Sequence, residues 1–180
     1  MKSWIRLPLV AASALIVSAS ASRGEEASGA SGAISAGIVA TQLQALGYAA
    51  KINSDKSGDP RVKATVDGFA WDIFFYSCDN GPLEQRGCAS FQFYTGYTVP
   101  NDFSPQTINK WNTDKRYAKA YTFVKHDGKN DARIEIDVLI AGTLADPAKT
   151  FRAYFVKMKT AAENFRKVIG CGRCSQTPVD

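Results

Sequence analysis

Residues 62–75, Val62-Lys63-Ala64-Thr65-Val66-Asp67-Gly68-Phe69-Ala70-Trp71-Asp72-Ile73-Phe74-Phe75, decide the fold. Val62, Ala64 and Val66 alternate with Lys63, Thr65 and Asp67. Phe69, Trp71, Ile73 and Phe75 alternate with smaller or more polar neighbours, Phe74 excepted. A period of two places one set of side chains on a buried face and the other on the opposite face, so both runs are strands. Asp67-Gly68 between them is a tight hairpin turn.

Downstream, Cys88 to Gly96 predicts a third strand, with Phe91 and Phe93 on one face and Gln92 and Tyr94 on the other; the loop from Asp79 to Gly87 joins it to the second. Ser104-Pro105 is a helix start, since a Ser hydroxyl can cap free amides and Pro fits the first helical position. That helix extends to about Lys115. Tyr121 and Phe123, then Ile134, Ile136, Val138 and Ile140, predict two more strands around the turn Asp127-Gly128-Lys129-Asn130. Asp146-Pro147 repeats the cap-then-proline device. After it, Phe151, Tyr154, Phe155, Met158, Ala162, Phe165 and Ile169 form an apolar stripe at helical spacing. Upstream, Ile34, Ile38, Val39, Leu43 and Leu46 recur at helical spacing and Gly47 closes the helix. The order is α-β-β-β-α-β-β-α. Adjacent hairpins imply a largely antiparallel five-stranded sheet with its apolar face covered by helices, an α+β fold.

The first residues read as a secretory signal over 1–21: Lys2 and Arg6 are the basic region, Leu7 to Val17 the apolar core and Ala19-Ser20-Ala21 the cleavage site. The apolar run is short for a membrane span, which wants about 20 residues, so no stable anchor is expected after cleavage. Residues 22–33 have the Ser, Gly, Ala and Glu composition of a disordered linker, 34–170 form the domain, and 171–180 a cysteine-bearing tail. The chain carries 22 Lys+Arg against 17 Asp+Glu; without Lys2 and Arg6 the excess is 20 − 17 = +3. Nucleic-acid binding calls for basic residues gathered on one face or helix. Lys110, Lys115, Arg116, Lys119 and Lys125 are instead interleaved with aromatics, so no nucleic-acid partner is expected. The compartment expected is the periplasm of a Gram-negative bacterium, or the outside.

Four cysteines in an exported chain invite pairing, with three possible connectivities. Cys78 ends one strand and Cys88 begins the next, so a bond across the hairpin neck is expected, contributing about 2.5 to 3 kcal/mol in the chain-entropy model. Cys171-Gly172-Arg173-Cys174 has CxxC spacing but follows the C-terminus of the last helix, where the dipole disfavours a thiolate. A tail staple is expected, either a local ring or links back to the hairpin cysteines. The alternative is thiol-disulfide exchange by Cys171 and Cys174.

Asn53 to Asp59 mimics the opening of a calcium loop, but Ala64 stands where the bidentate Glu belongs, and a turn explains the same residues. His126, the one histidine, sits in a hairpin turn beside Asp127, with no nucleophile placed by a recognisable motif. No metal, cofactor or catalytic set is expected.

There remains Ile108-Asn109-Lys110-Trp111-Asn112, followed by Arg116-Tyr117-Ala118-Lys119-Ala120-Tyr121. On a helix Ile108, Trp111 and Lys115 share a face, so Trp111 packs inward. Asn109, Asn112, Arg116 and Tyr117 then admit two readings. They satisfy backbone groups where helix passes to strand, or they form a patch that recognises a partner, since Arg and Tyr are enriched in binding hot spots. Together with Leu46-Gly47-Tyr48 and Gly58-Asp59-Pro60, these stretches resemble the YbjN family over roughly residues 34 to 169. That family is catalogued under bacterial sensory-transduction regulation. The resemblance implies a fold like the type III secretion chaperones and a protein or peptide partner, with a homodimer as one arrangement.

Overall fold

The computed structural model describes residues 32–140 and 146–171. The expected signal, most of the linker and Cys174 lie outside these residues. The elements are α1 (Ala36–Ala45), β1 (Ala49–Ser54), β2 (Pro60–Val66), β3 (Phe69–Cys78), β4 (Cys88–Val99), α2 (Pro105–Asp114), β5 (Lys119–Val124), β6 (Asn130–Leu139) and α3 (Pro147–Val168).

The fold is α+β, with one antiparallel sheet in the order β1-β2-β3-β4-β6-β5. It has six strands where five were expected. The added strand, β1, is an edge: Ala50 pairs with Ala64 and Ile52 with Val62. Ile52 is its one large apolar residue, because an edge strand half open to solvent has little to bury. The turn after it is an Asx turn, in which the Asp55 carboxylate accepts the amides of Ser57 and Asp59 at 2.8 and 2.9 Å and Gly58 takes φ +86°. Between β2 and β3, Asp67 and Gly68 both have positive φ, 52° and 82°, which matches the right-handed twist of the strands.

One sheet face is apolar and carries α1 and α3. Trp71, Ile73, Phe75, Phe91, Phe93, Ile134 and Ile136 are buried on it. From α3, Phe151 meets Phe93 at 5.4 Å between ring centroids, and Phe155 meets Trp71 at 5.7 Å. Each fully buried side chain of this size contributes about 1.5–3 kcal/mol. Asp146 caps α3 by accepting the Lys149 amide at 2.8 Å.

Two helix starts differ from the sequence reading. Ser104 makes no capping bond to α2; its hydroxyl is taken by the Gln106 side chain. Ile34 lies outside α1, in a bridge with Cys88, while Ser35 caps the helix through the Ile38 amide. At the other end Gly47, at φ +85°, closes α1 as expected: Tyr48 N donates to Leu43 O and Gly47 N to Gln44 O. Leu46, counted in the buried stripe, is 47% exposed because the chain turns there. Among the described residues, no helix is long and apolar enough to cross a membrane.

Candidate functional site

The passage from α2 to β5 is clamped by two side chains. Trp111 is buried, its Nε1 donates to Ala118 O at 3.0 Å, and its ring meets Phe165 of α3 at 5.0 Å between centroids. The Asn112 amide donates to Ala120 O at 2.9 Å and accepts from Ala120 N at 2.8 Å, imitating a strand partner for β5. With both ends of the joint held, Lys115, Arg116 and Tyr117 are turned outward, and all three are exposed.

Beside this joint runs α3. Its apolar stripe faces the sheet, while Val156 and Lys157 point away from it; Val156 is 62% exposed. Between joint and helix lies an open groove of about 300 Å³ with Trp111, Tyr117, Ala118, Val156 and Ala161 in its walls. Three cations rim it. The Lys157 Nζ stands 4.5 Å from the Tyr117 ring centroid, the Arg116 Cζ 5.2 Å from the same centroid, and the Lys115 Nζ 5.4 Å from the Trp111 ring. Among the described residues no carboxylate lines the groove, and none of the three cations has an ion-pair partner. An apolar floor with positive walls attracts an anionic ligand that also carries apolar surface.

Of the four residues proposed from sequence for partner binding, Arg116 and Tyr117 stand together on this groove. Asn112 is engaged with the β5 backbone. Asn109 is exposed on α2, its carbonyl accepting from the Thr113 hydroxyl at 3.0 Å. Sequence reasoning missed Lys115, Val156 and Lys157. The available signal was Val156, an apolar residue off the stripe of Phe151, Phe155, Met158 and Phe165, although Val168 at the end of the same helix is off it too and is 48% exposed.

The sheet face away from the helices carries a second polar assembly. Arg61 pairs with Asp72 and lies 5.2 Å from the centroid of Phe74; Phe74 meets Tyr94 at 6.0 Å, and Arg133 lies over Tyr94 and Phe123 at 5.6 and 3.8 Å. Gln92 and Lys119 both bond Asp137, at 2.8 and 2.9 Å. Burial raises the Asp72 carboxyl above the usual range against the opposing pull of Arg61, and it also raises Tyr94. On this face Arg61 pairs with Asp72, Lys119 with Asp137 and Arg133 with Asp131, while Lys51 and Lys63, towards the β1 edge, have no ion pair among the described residues.

Cys78 and Cys88 pair in register and form a disulfide, as expected. The loop they close docks on the start of α1, where Gly37 N donates to Glu84 O at 3.0 Å and a Cβ on Gly37 would come within 2.5 Å of that oxygen. Pairing of Cys78 with Cys88 excludes a tail tied back to the hairpin. Cys171 is disulfide-bonded just beyond α3, and Cys174 lies outside the described residues. His126 is exposed in the β5–β6 turn.

No family model and no curated protein matches the sequence. Among solved structures, the chain is similar to the crystal structure of YbjN from E. coli, with a TM-score of 0.48 and 11% identity, covering 78% of this chain and 94% of that one.

Proposed function

We propose that this chain is a non-catalytic, exported binding module that holds a segment of another protein in the groove between the α2–β5 joint and α3. The observation that carries the reading is the exposed pair Tyr117 and Val156 on an open apolar groove rimmed by Lys115, Arg116 and Lys157. Exposed aromatic and arginine side chains of this kind are the commonest binding hot spots. The leader-like residues 1–21 and the Cys78–Cys88 disulfide support an oxidising compartment outside the cytoplasm. Binding there fits a regulatory or stress-related role in the cell envelope.

The test places the photo-crosslinker benzoylphenylalanine at Val156 in cells exporting the full chain. The expected product is a discrete adduct with a second polypeptide that disappears when Tyr117→Ser is added; an adduct of twice the chain's mass identifies a second copy as the occupant. Equal crosslinking from Lys63, exposed on the far face of the sheet, would contradict the proposal.

A further inference from the structure

We infer that the occupant of the groove is an acidic peptide segment, carrying carboxylates on either side of one large apolar residue. This rests on the binding reading above and adds the chemistry of the partner. On α2, Lys110 has Asp114 at 3.0 Å; on α3, Lys159 has Asp67 and Lys167 has Glu163, each at 3.1 Å. Lys115, Arg116 and Lys157 have no carboxylate among the described residues, which is true of Lys149 and Arg152 as well, but these three converge on one apolar groove and lie over Tyr117 and Trp111. Cations over exposed aromatic rings keep much of their hydration and are free to exchange the ring for a carboxylate. Arg116 supplies a planar fork that matches a carboxylate in two hydrogen bonds, whereas Lys115 and Lys157 act as adaptable point charges.

The walls complete the specification. Tyr117, Val156 and Ala161 offer aliphatic and aromatic surface in front of the buried Trp111 and Ala118, and with no acid among the described lining residues a basic segment meets like charge. A volume of about 300 Å³ is at the low end for a ligand pocket, which suits one anchoring side chain with its flanks. Single-stranded nucleic acid fits less well. It needs a basic track along several phosphates and free aromatic faces for stacking, whereas here three cations surround one pocket and two of them lie over Tyr117.

The experiment selects a displayed random dodecapeptide library on the immobilised full chain at low salt, then measures affinities of the enriched peptides by fluorescence anisotropy. Enrichment of Asp and Glu around a large apolar residue is expected. Exposed ion pairs are individually weak, so Arg116→Glu with Lys157→Glu should lower affinity by roughly tenfold in total, and added salt by a similar factor. Melting curves check the variants; if the reversal pair does not fold, Arg116→Gln with Lys157→Gln replaces it, with a smaller loss expected. Neutral or basic peptides that are enriched and lost on Tyr117→Ser would overturn the inference while leaving the binding reading intact. No enrichment, or enrichment indifferent to Tyr117→Ser, would overturn both. Tighter binding of a mixed-sequence oligonucleotide, or of vesicles containing phosphatidylglycerol, than of any acidic peptide would also overturn the inference.

Discussion

Lys157, on the outward side of α3, holds its ammonium 4.5 Å from the ring centroid of Tyr117, in the link between α2 and β5. The contact spans the groove and joins its two walls. A cation over an exposed aromatic ring contributes about 0.5–1 kcal/mol. In a double-mutant cycle with Lys157→Ala and Tyr117→Ala, urea unfolding is therefore expected to give a coupling energy of about that size. Strictly additive losses would mean that the walls are not coupled through this pair.

Asn112 and Asn109 should separate cleanly. Asn112→Ala leaves both backbone groups of Ala120 without their partner and is expected to cost about 1–3 kcal/mol. Asn109→Ala removes an exposed side chain and should stay within about 0.5 kcal/mol of the parent. Denaturant midpoints measure both, and equal effects would contradict the clamp assigned to Asn112.

Replacing Cys78 and Cys88 together by Ser is expected to lower stability by about 2.5 to 3 kcal/mol in the chain-entropy model. Because the closed loop docks on α1 through Glu84 and Gly37, amide exchange should accelerate first around residues 34–39. Uniform acceleration through β6 and α3 as well would contradict a local role for the loop.

Glu135, partly buried on the uncovered sheet face, has its carboxyl raised above the usual 4.5, by burial and then by Asp137; Lys119 and a hydrogen bond from Tyr121 oppose the rise without cancelling it. A group that holds its proton more tightly when folded contributes most below its unfolded pKa, and that contribution fades as pH rises through the raised value. Relative to Glu135→Gln, the parent protein should therefore be more favoured below pH 4.5 than at neutral pH. Melting temperatures of the two proteins across this range test the sign, and a difference that grows with pH would contradict it.

The hairpin of β2 and β3 was legible because its alternation is strong and Asp67-Gly68 supplies the positive φ its turn needs. The long stripe of α3 was legible for a similar reason, since Phe151, Phe155, Met158, Ala162 and Phe165 bring an apolar residue to one face at each turn. Strand β1 was not, because Ala49, Ala50 and Lys51 carry little alternation and the strand is specified by pairing with Val62 and Ala64. Ser104 and Asp146 both precede a proline, yet only Asp146 caps; Ser104 loses its hydroxyl to Gln106, a local competition that no periodicity reveals. The groove was half legible. Arg116 and Tyr117 stood out by residue type, but Val156 and Lys157 join them only through the packing of α3 beside the α2–β5 joint. Asn112 could not be separated from a binding residue until its amide was seen on Ala120.

Amide-resolved NMR of the full chain, titrated with an acidic peptide taken from the selection, tests the central claim most directly. Saturable shifts are expected at Arg116, Tyr117, Val156, Lys157 and Thr160, weakened by salt. Shifts confined to the far face of the sheet, around Arg61, Tyr94 and Arg133, with the groove unmoved, would contradict it.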